Sequence, residues 1–263
     1  MHALEGYDAD ALAAAGLIID CPGLPFPSMP APPYAPVRGE NWSLDQAFII
    51  ASPGYFTGPR ELTWMNYLLK RDGIAWMSLT PGEVESQAPH VAAAHGSVVV
   101  CGLGMGVVTY AMAARQAVDR VVVVERDPEV IAMFHAFSNF EHWPQRAKVE
   151  IVQSDACTFR MDGVDFLYAD IWPYYRMDTM LPDMQRMHAN MPAPLCGYWG
   201  QELDMVDWAT ARGVPLEQFG PEHIEAFRTA SGLPLLVPDV PDYAGLCRNA
   251  SVNPAIRSVR VPI

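Results

Sequence analysis

The chain has 263 residues, of which 51% are apolar and 18% charged, which excludes a disordered protein and gives enough length for one sizeable core and a small second lobe. Its formal net charge of -13, without any Lys/Arg cluster, argues against nucleic-acid partners and suits either plain solubility or a cationic small molecule. Five scattered cysteines without a C-x-x-C pair point away from a disulfide framework and from a metal site, and no leader-like or membrane-length apolar run is read, so a cytoplasmic protein with no membrane partner is expected.

Residues 1–95 are expected to form an N-terminal arm and a strand-and-helix segment. Asp8 to Leu17 reads as a short Ala-rich helix capped by Asp8. Prolines are too dense from Pro22 to Pro36 for a helix, so an extended arm is expected there, with Leu24, Phe26, Met29 and Tyr34 available to pack. Gln46 to Ala51 reads as a strand and Ser52-Pro53-Gly54 as a turn. Arg60 to Lys70 carries Leu62, Met65, Leu68 and Leu69 at helical spacing, and Ile74 to Ser78 reads as a short strand. Thr80-Pro81-Gly82-Glu83 has the form of a helix start with a capping box.

Residues 96–205 read as an α/β core. Val98 to Val100 is a short β-branched run, followed by alternate glycines (Gly102, Gly104, Gly106), an apolar helix from Val107 to Val118, and a second run, Val121 to Val124, ending on Glu125. Such runs suit strands covered on both faces of a parallel sheet, and the helix supplies the crossover that parallel strands require. The dinucleotide fingerprint places a third glycine where this chain has Val107, which disfavours a nicotinamide cofactor. A carboxylate at Glu125 suits both hydroxyls of a ribose and would repel a 2′-phosphate. Pro128 to Phe137 reads as a helix capped by Asp127, Lys148 to Gln153 and Val164 to Ala169 as strands, Met177 to Met191 as a helix, and Leu195 to Trp199 as a fifth strand. Residues 206–263 are expected to form an extension packed on the core, with Pro221 to Ser231 helical, Leu233 to Val237 and Ser258 to Val261 extended, and the rest Pro-rich loop. This extension caps a sheet edge or makes a homodimer contact.

From Trp76 to Glu202 the chain resembles the class I S-adenosylmethionine (SAM)-dependent methyltransferase superfamily, and within it the spermidine-synthase-like branch. The resemblance lies in the glycine turn CGLGMG, Glu125, the Asp155-Ala156 pair and the fourth-strand acid Asp170. It implies a Rossmann-like, doubly wound, mostly parallel sheet. It also implies that the turn lies against the methionine part of the cofactor, that Glu125 holds the ribose, and that Asp155 meets the adenine amino group. The cofactor-binding set expected on this basis is Gly102, Leu103, Gly104, Gly106, Glu125, Arg126, Asp155, Ala156 and Asp170.

Asp170 is the expected catalytic residue, because an amine acceptor must lose a proton before it attacks and a carboxylate within hydrogen-bond reach can take it; it could equally only orient the cofactor. In Asp170-Ile171-Trp172-Pro173-Tyr174-Tyr175, the aromatics Trp172, Tyr174 and Tyr175 either stack on the acceptor or pack beneath the next helix. By resemblance, Tyr55, Trp64 and Trp76 are lid residues; read alone, they are core aromatics. The bulky Ile171 and Trp172 depart from the small polar loop of spermidine synthases. The function expected is methyl transfer from SAM to a small molecule without a metal, with aminopropyl transfer from decarboxylated SAM and non-catalytic SAM or nucleoside binding as alternatives.

Overall fold

The computed structural model describes residues 4–254; the expected extension at Ser258 to Val261 lies outside them. Five parallel strands form the central sheet: β1 (Gly96–Cys101), β2 (Val118–Glu125), β3 (Val149–Gln153), β4 (Phe166–Ala169) and β5 (Leu195–Tyr198). Their order is β3-β2-β1-β4-β5, with Val122 opposite Val99 and Leu167 on the other side of the same residue. The fold class is therefore Rossmann-like α/β, as the sequence leads one to expect. The valines of β1 and β2 are at most 1% exposed, which is the burial on both faces that their unbroken β-branched runs require.

Helices Val107–Ala113, Pro128–Phe137 and Met180–Asn190 make three of the crossovers, while β3 reaches β4 through a loop. Asp127 caps the second of these helices, accepting from Glu129 N at 2.9 Å, with Pro128 in the first turn. The first helix stops at Ala113, short of the expected Val118, because Val118 is already paired with Gly96 in the sheet. The chain runs outward from β1 to β3 and then returns to place β4 on the other side of β1. A crevice opens at that reversal, beyond the carboxyl ends of β1 and β4.

The N-terminal segment departs from expectation in one respect that matters. Arg60 to Lys70 is not a helix; it contributes strands Pro59–Glu61 and Asn66–Arg71. The cause is the dipeptide Asp72-Gly73, whose φ values of +51° and +82° make a two-residue hairpin turn into Ile74–Ser78. Asn66–Arg71 also pairs with Trp42–Ala47, setting Leu69 opposite Leu44 in the core. Strand pairing thus overrides the helical spacing of the leucines. The strand expected at Gln46 to Ala51 is displaced to Trp42–Ala47, and Ser52-Pro53 lies in a short strand, Ala51–Pro53, instead of a turn. Helix Ala9–Ala14 forms under the Asp8 cap, and Met29–Ala31 of the Pro-rich arm pairs with Leu17–Ile19.

Helix Pro81–Ala93 begins where expected but without the capping box: Thr80 Oγ1 pairs with Ser78 Oγ at 2.8 Å, and Glu83 turns inward. At the C-terminal end, Pro221–Ser231 is helical and Leu235 bridges Cys196 alongside β5, whereas Tyr243–Val252, expected as loop, is a helix. Tyr55 and Tyr243 both donate to Glu202 (3.2 and 2.8 Å), fastening both flanking segments to helix Gln201–Thr210, which follows β5. No helix among the described residues is long and apolar enough to cross a membrane.

Candidate functional site

A cavity of about 430 Å³ occupies the crevice beyond β1 and β4. Its lining includes Gly102, Leu103 and Gly104 from the turn after β1, Glu125 and Arg126 from the end of β2, and Asp155 and Ala156 from the end of β3. Asp170 and Trp172, after β4, also line it. Nine sequence-predicted positions, scattered over seventy residues of chain, therefore meet at one place.

The turn after β1 is held close to its neighbours. Gly102 has φ +98°, and a Cβ there would lie 2.1 Å from the carbonyl oxygen of Asp170. A Cβ on Gly104 would lie 2.7 Å from Met77 Sδ. Only a residue without a side chain lets the strand end, the β4 loop and the N-terminal sheet approach this closely. Leu103 N donates to Glu125 Oε2 at 3.0 Å, and Asp127 N donates to Oε1 at 2.8 Å. These two bonds fix the carboxylate's orientation and leave each oxygen a further lone pair facing the cavity. Asp155 Oδ1 accepts from Cys157 N at 2.7 Å, tying that side chain to its own turn.

Asp170 is enclosed below the cavity, where Gln87 Nε2 donates to its Oδ2 at 3.2 Å. Burial pushes its carboxyl up to about 7, opposed by the Gln87 hydrogen bond. Glu83 accepts from the same Gln87 amide at 3.0 Å, and burial followed by the nearby Asp170 charge raises its pKa. Trp42 and Trp76, edge to face with ring centroids 5.4 Å apart, bring the N-terminal sheet to the cavity wall, with Arg71 over the Trp42 ring.

Three of the predicted positions lie outside the lining. Gly106 packs where a Cβ would meet Phe134 at 2.3 Å, so it serves helix packing. Tyr175 stacks on Trp199 with centroids 3.7 Å apart, and Tyr174 is half-buried beside it. Trp172 alone of the loop aromatics lines the cavity, its Nε1 donating to Asp183 Oδ2 at 3.1 Å. Of the three candidate lid residues Trp76 reaches the cavity; Tyr55 is fully buried, and Trp64 donates to Leu79 O at 3.3 Å. Sequence reading missed Glu83, Gln87, Met77 and Trp42. Glu83 had a local signal of another kind, the capping-box pattern; for the others nothing in the local sequence marks a cavity.

Solved structures matched over part of the chain include a spermidine synthase from Thermotoga maritima, at 13% identity, covering 62% of this chain and 55% of that one with a TM-score of 0.38. They also include a dimethyladenosine transferase from Plasmodium falciparum (18% identity, 37% of this chain and 32% of that one, TM-score 0.29). A third is the S-adenosylmethionine-dependent methyltransferase SibL (18% identity, 40% and 30%, TM-score 0.33). The matched region thus spans about half of the spermidine synthase and about a third of the other two. No family model matches the sequence, and no curated protein matches it. The fold is Rossmann-like α/β by its own strand order, a fold that carries many chemistries, so the function rests on the site.

Proposed function

We propose that the protein is a SAM-dependent methyltransferase acting on a small-molecule acceptor. The observation that carries this reading is the convergence of the glycine turn, Glu125, Asp155 and Asp170 on a single cavity at the reversal of strand order. The residues present fit the cofactor. The turn offers backbone without side chains at Gly102 and Gly104, Glu125 keeps two lone pairs for ribose hydroxyls, and Asp155 Oδ2 is left for an amino group. Ala156, small and buried, bounds the same part of the cavity. Its volume falls within the range typical of small-molecule sites.

When bound, SAM supplies a methyl group already activated on a sulfonium, so placement and exclusion of water are the protein's main tasks. Trp42, Trp76 and Trp172 wall the cavity against solvent. Asp170, with its carboxyl near neutrality, is suited to hold the proton that a nitrogen acceptor gives up. Asp170→Asn is expected to lower kcat by about 10²–10⁴-fold while leaving cofactor binding within a few-fold, and unchanged turnover would remove Asp170 from the chemistry.

A second reading is supported by one observation. Glu83 and Asp170 flank the cavity near the glycine turn, and no Lys or Arg among the described residues hydrogen-bonds to either. Such a pair repels the carboxylate of SAM and tolerates its absence, which favours aminopropyl transfer from decarboxylated SAM. Incubation with each cofactor and a panel of amines, read by mass spectrometry, separates the two: a methyl adduct from SAM supports the first, and only an aminopropyl adduct supports the second. Cofactor binding without either adduct supports a non-catalytic binding protein.

A further inference from the structure

Two acids from distant parts of the chain line the cavity and share one amide behind its wall. Gln87 Nε2 donates to Glu83 Oε1 at 3.0 Å and to Asp170 Oδ2 at 3.2 Å. Glu83 and Gln87 lie one turn apart on helix Pro81–Ala93, and Asp170 follows β4. The groups around the pair are Tyr168 from β4, with the buried His90 of helix Pro81–Ala93 against its ring (centroids 4.6 Å apart), and Tyr175 from the loop beyond β4, with Glu202 from helix Gln201–Thr210 behind them. The N-terminal sheet contributes the uncharged Trp42, Leu69, Trp76 and Met77 to this cavity wall, and one charged group, Arg71, which sits over Trp42. Two ionised carboxyls this close repel each other unless a cation or a shared proton intervenes.

A second observation, independent of the acids, points to a ligand. Tyr168 lies in β4, two residues before Asp170. It is fully buried and lines the cavity, and its hydroxyl has no hydrogen-bond partner. Gln87 Oε1 is also buried without a partner, but Gln87 stands behind the lining. Buried polar atoms are ordinarily paired, so the Tyr168 hydroxyl is a site waiting for a hydrogen-bonding group. The two carboxylates and the Tyr168 hydroxyl all accept hydrogen bonds, and the three N–H groups of one primary ammonium satisfy them together.

We propose that Glu83 and Asp170 form a proton-exchanging ammonium site. The free pair holds one proton in common. An organic ammonium entering the cavity displaces that proton and donates its N–H groups to the two carboxylates and to Tyr168. Charge balances: the pair passes from one negative charge to two, one positive charge arrives, and the displaced proton leaves to solvent. This rests on the proposed function, with cofactor and acceptor sharing the cavity, and it adds Glu83 as the residue that selects a cationic acceptor.

Calorimetric titration of the full chain, saturated with S-adenosylhomocysteine, with n-butylamine and 1,4-diaminobutane tests the proposal. Run in buffers of different ionisation enthalpy between about pH 6 and pH 8, where alkylamines stay protonated, it counts protons released. The expected release approaches one proton per amine at the acid end and declines toward pH 8, with affinity rising by up to about tenfold per pH unit. Glu83→Gln and Asp170→Asn are each expected to abolish the release and weaken amine binding by at least about tenfold, while n-butanol does not bind. Circular dichroism verifies that each variant folds; should one not fold, the other carries the comparison. Amine binding without proton release, release undiminished in a folded variant, or no amine binding at all overturns the site. Failure of S-adenosylhomocysteine to bind while amine exchange persists overturns the methyltransferase reading and leaves the ammonium site standing.

Discussion

Leu103 donates its backbone N–H to Oε2 of Glu125 at 3.0 Å, so the turn after β1 and the acid that ends β2 form one hydrogen-bonded unit. In the proposed function this bond presets the two parts of the site that must act on the same ligand. Glu125→Ala is expected to weaken binding of S-adenosylhomocysteine by about 1–3 kcal/mol, the scale of hydrogen bonds lost to a charged group. Glu125→Gln retains an acceptor and is expected to lose less. Calorimetry on the two variants checks the order.

The glycines of the turn are expected to tolerate substitution unequally. At Gly102, with φ +98°, an added Cβ would meet the Asp170 carbonyl, which is backbone and cannot yield. Gly102→Ala should therefore cost about 3 kcal/mol or more in stability. At Gly104 the obstacle is the flexible end of Met77, so Gly104→Ala should cost less, and Met77→Ala should recover part of the loss. Urea melts of the two single variants and the double variant decide this.

Stability should fall as pH rises toward neutrality. Burial holds the Asp170 and Glu202 carboxyls at about 7. Their ordinary values are roughly 3.9 and 4.3. A raised folded-state pKa gives stability that is complete below the unfolded value and is lost as pH climbs to the folded one. The ligand-free protein should melt lower at pH 8 than at pH 5, and Asp170→Asn should reduce the difference, melting at least about 2 °C above the wild type at pH 8. Thermal melts at the two pH values read this directly.

Trp172 and Tyr174 should separate by function although they are neighbours. Trp172 lines the cavity and bonds Asp183, whereas Tyr174 is outside the lining. Trp172→Ala is expected to raise the acceptor KM by about tenfold or more, the order of a lost buried aromatic contact. Tyr174→Ala should leave it within about twofold. Steady-state kinetics with any turned-over acceptor provides the comparison.

The core was legible in the sequence for a physical reason. Val98–Val100 and Val121–Val124 are buried on both faces, so their pattern is set locally by burial and survives in the composition of the run. Asp127-Pro128 marks a helix start by cap chemistry alone. Arg60 to Lys70 was not legible from its leucines, because their partner is a strand that precedes them; Asp72-Gly73 was the local signal that outweighed them. Glu83 shows a different failure. The capping-box pattern is a rule about exposed helix ends, and this end is packed against a cavity where Gln87 and Asp170 claim the side chain's surroundings. Gly106 follows the same logic in reverse: its spacing suggests a ligand contact, but Phe134 occupies the space.

The central claim is that one cavity, built from the ends of β1, β2, β3 and β4, takes a sulfonium nucleoside. The most direct measurement is calorimetric titration of the unmodified protein with SAM and with S-adenosylhomocysteine. One site per chain is expected, with saturation at micromolar ligand and competition between the two. No heat and no thermal stabilisation at millimolar concentrations of either would contradict it.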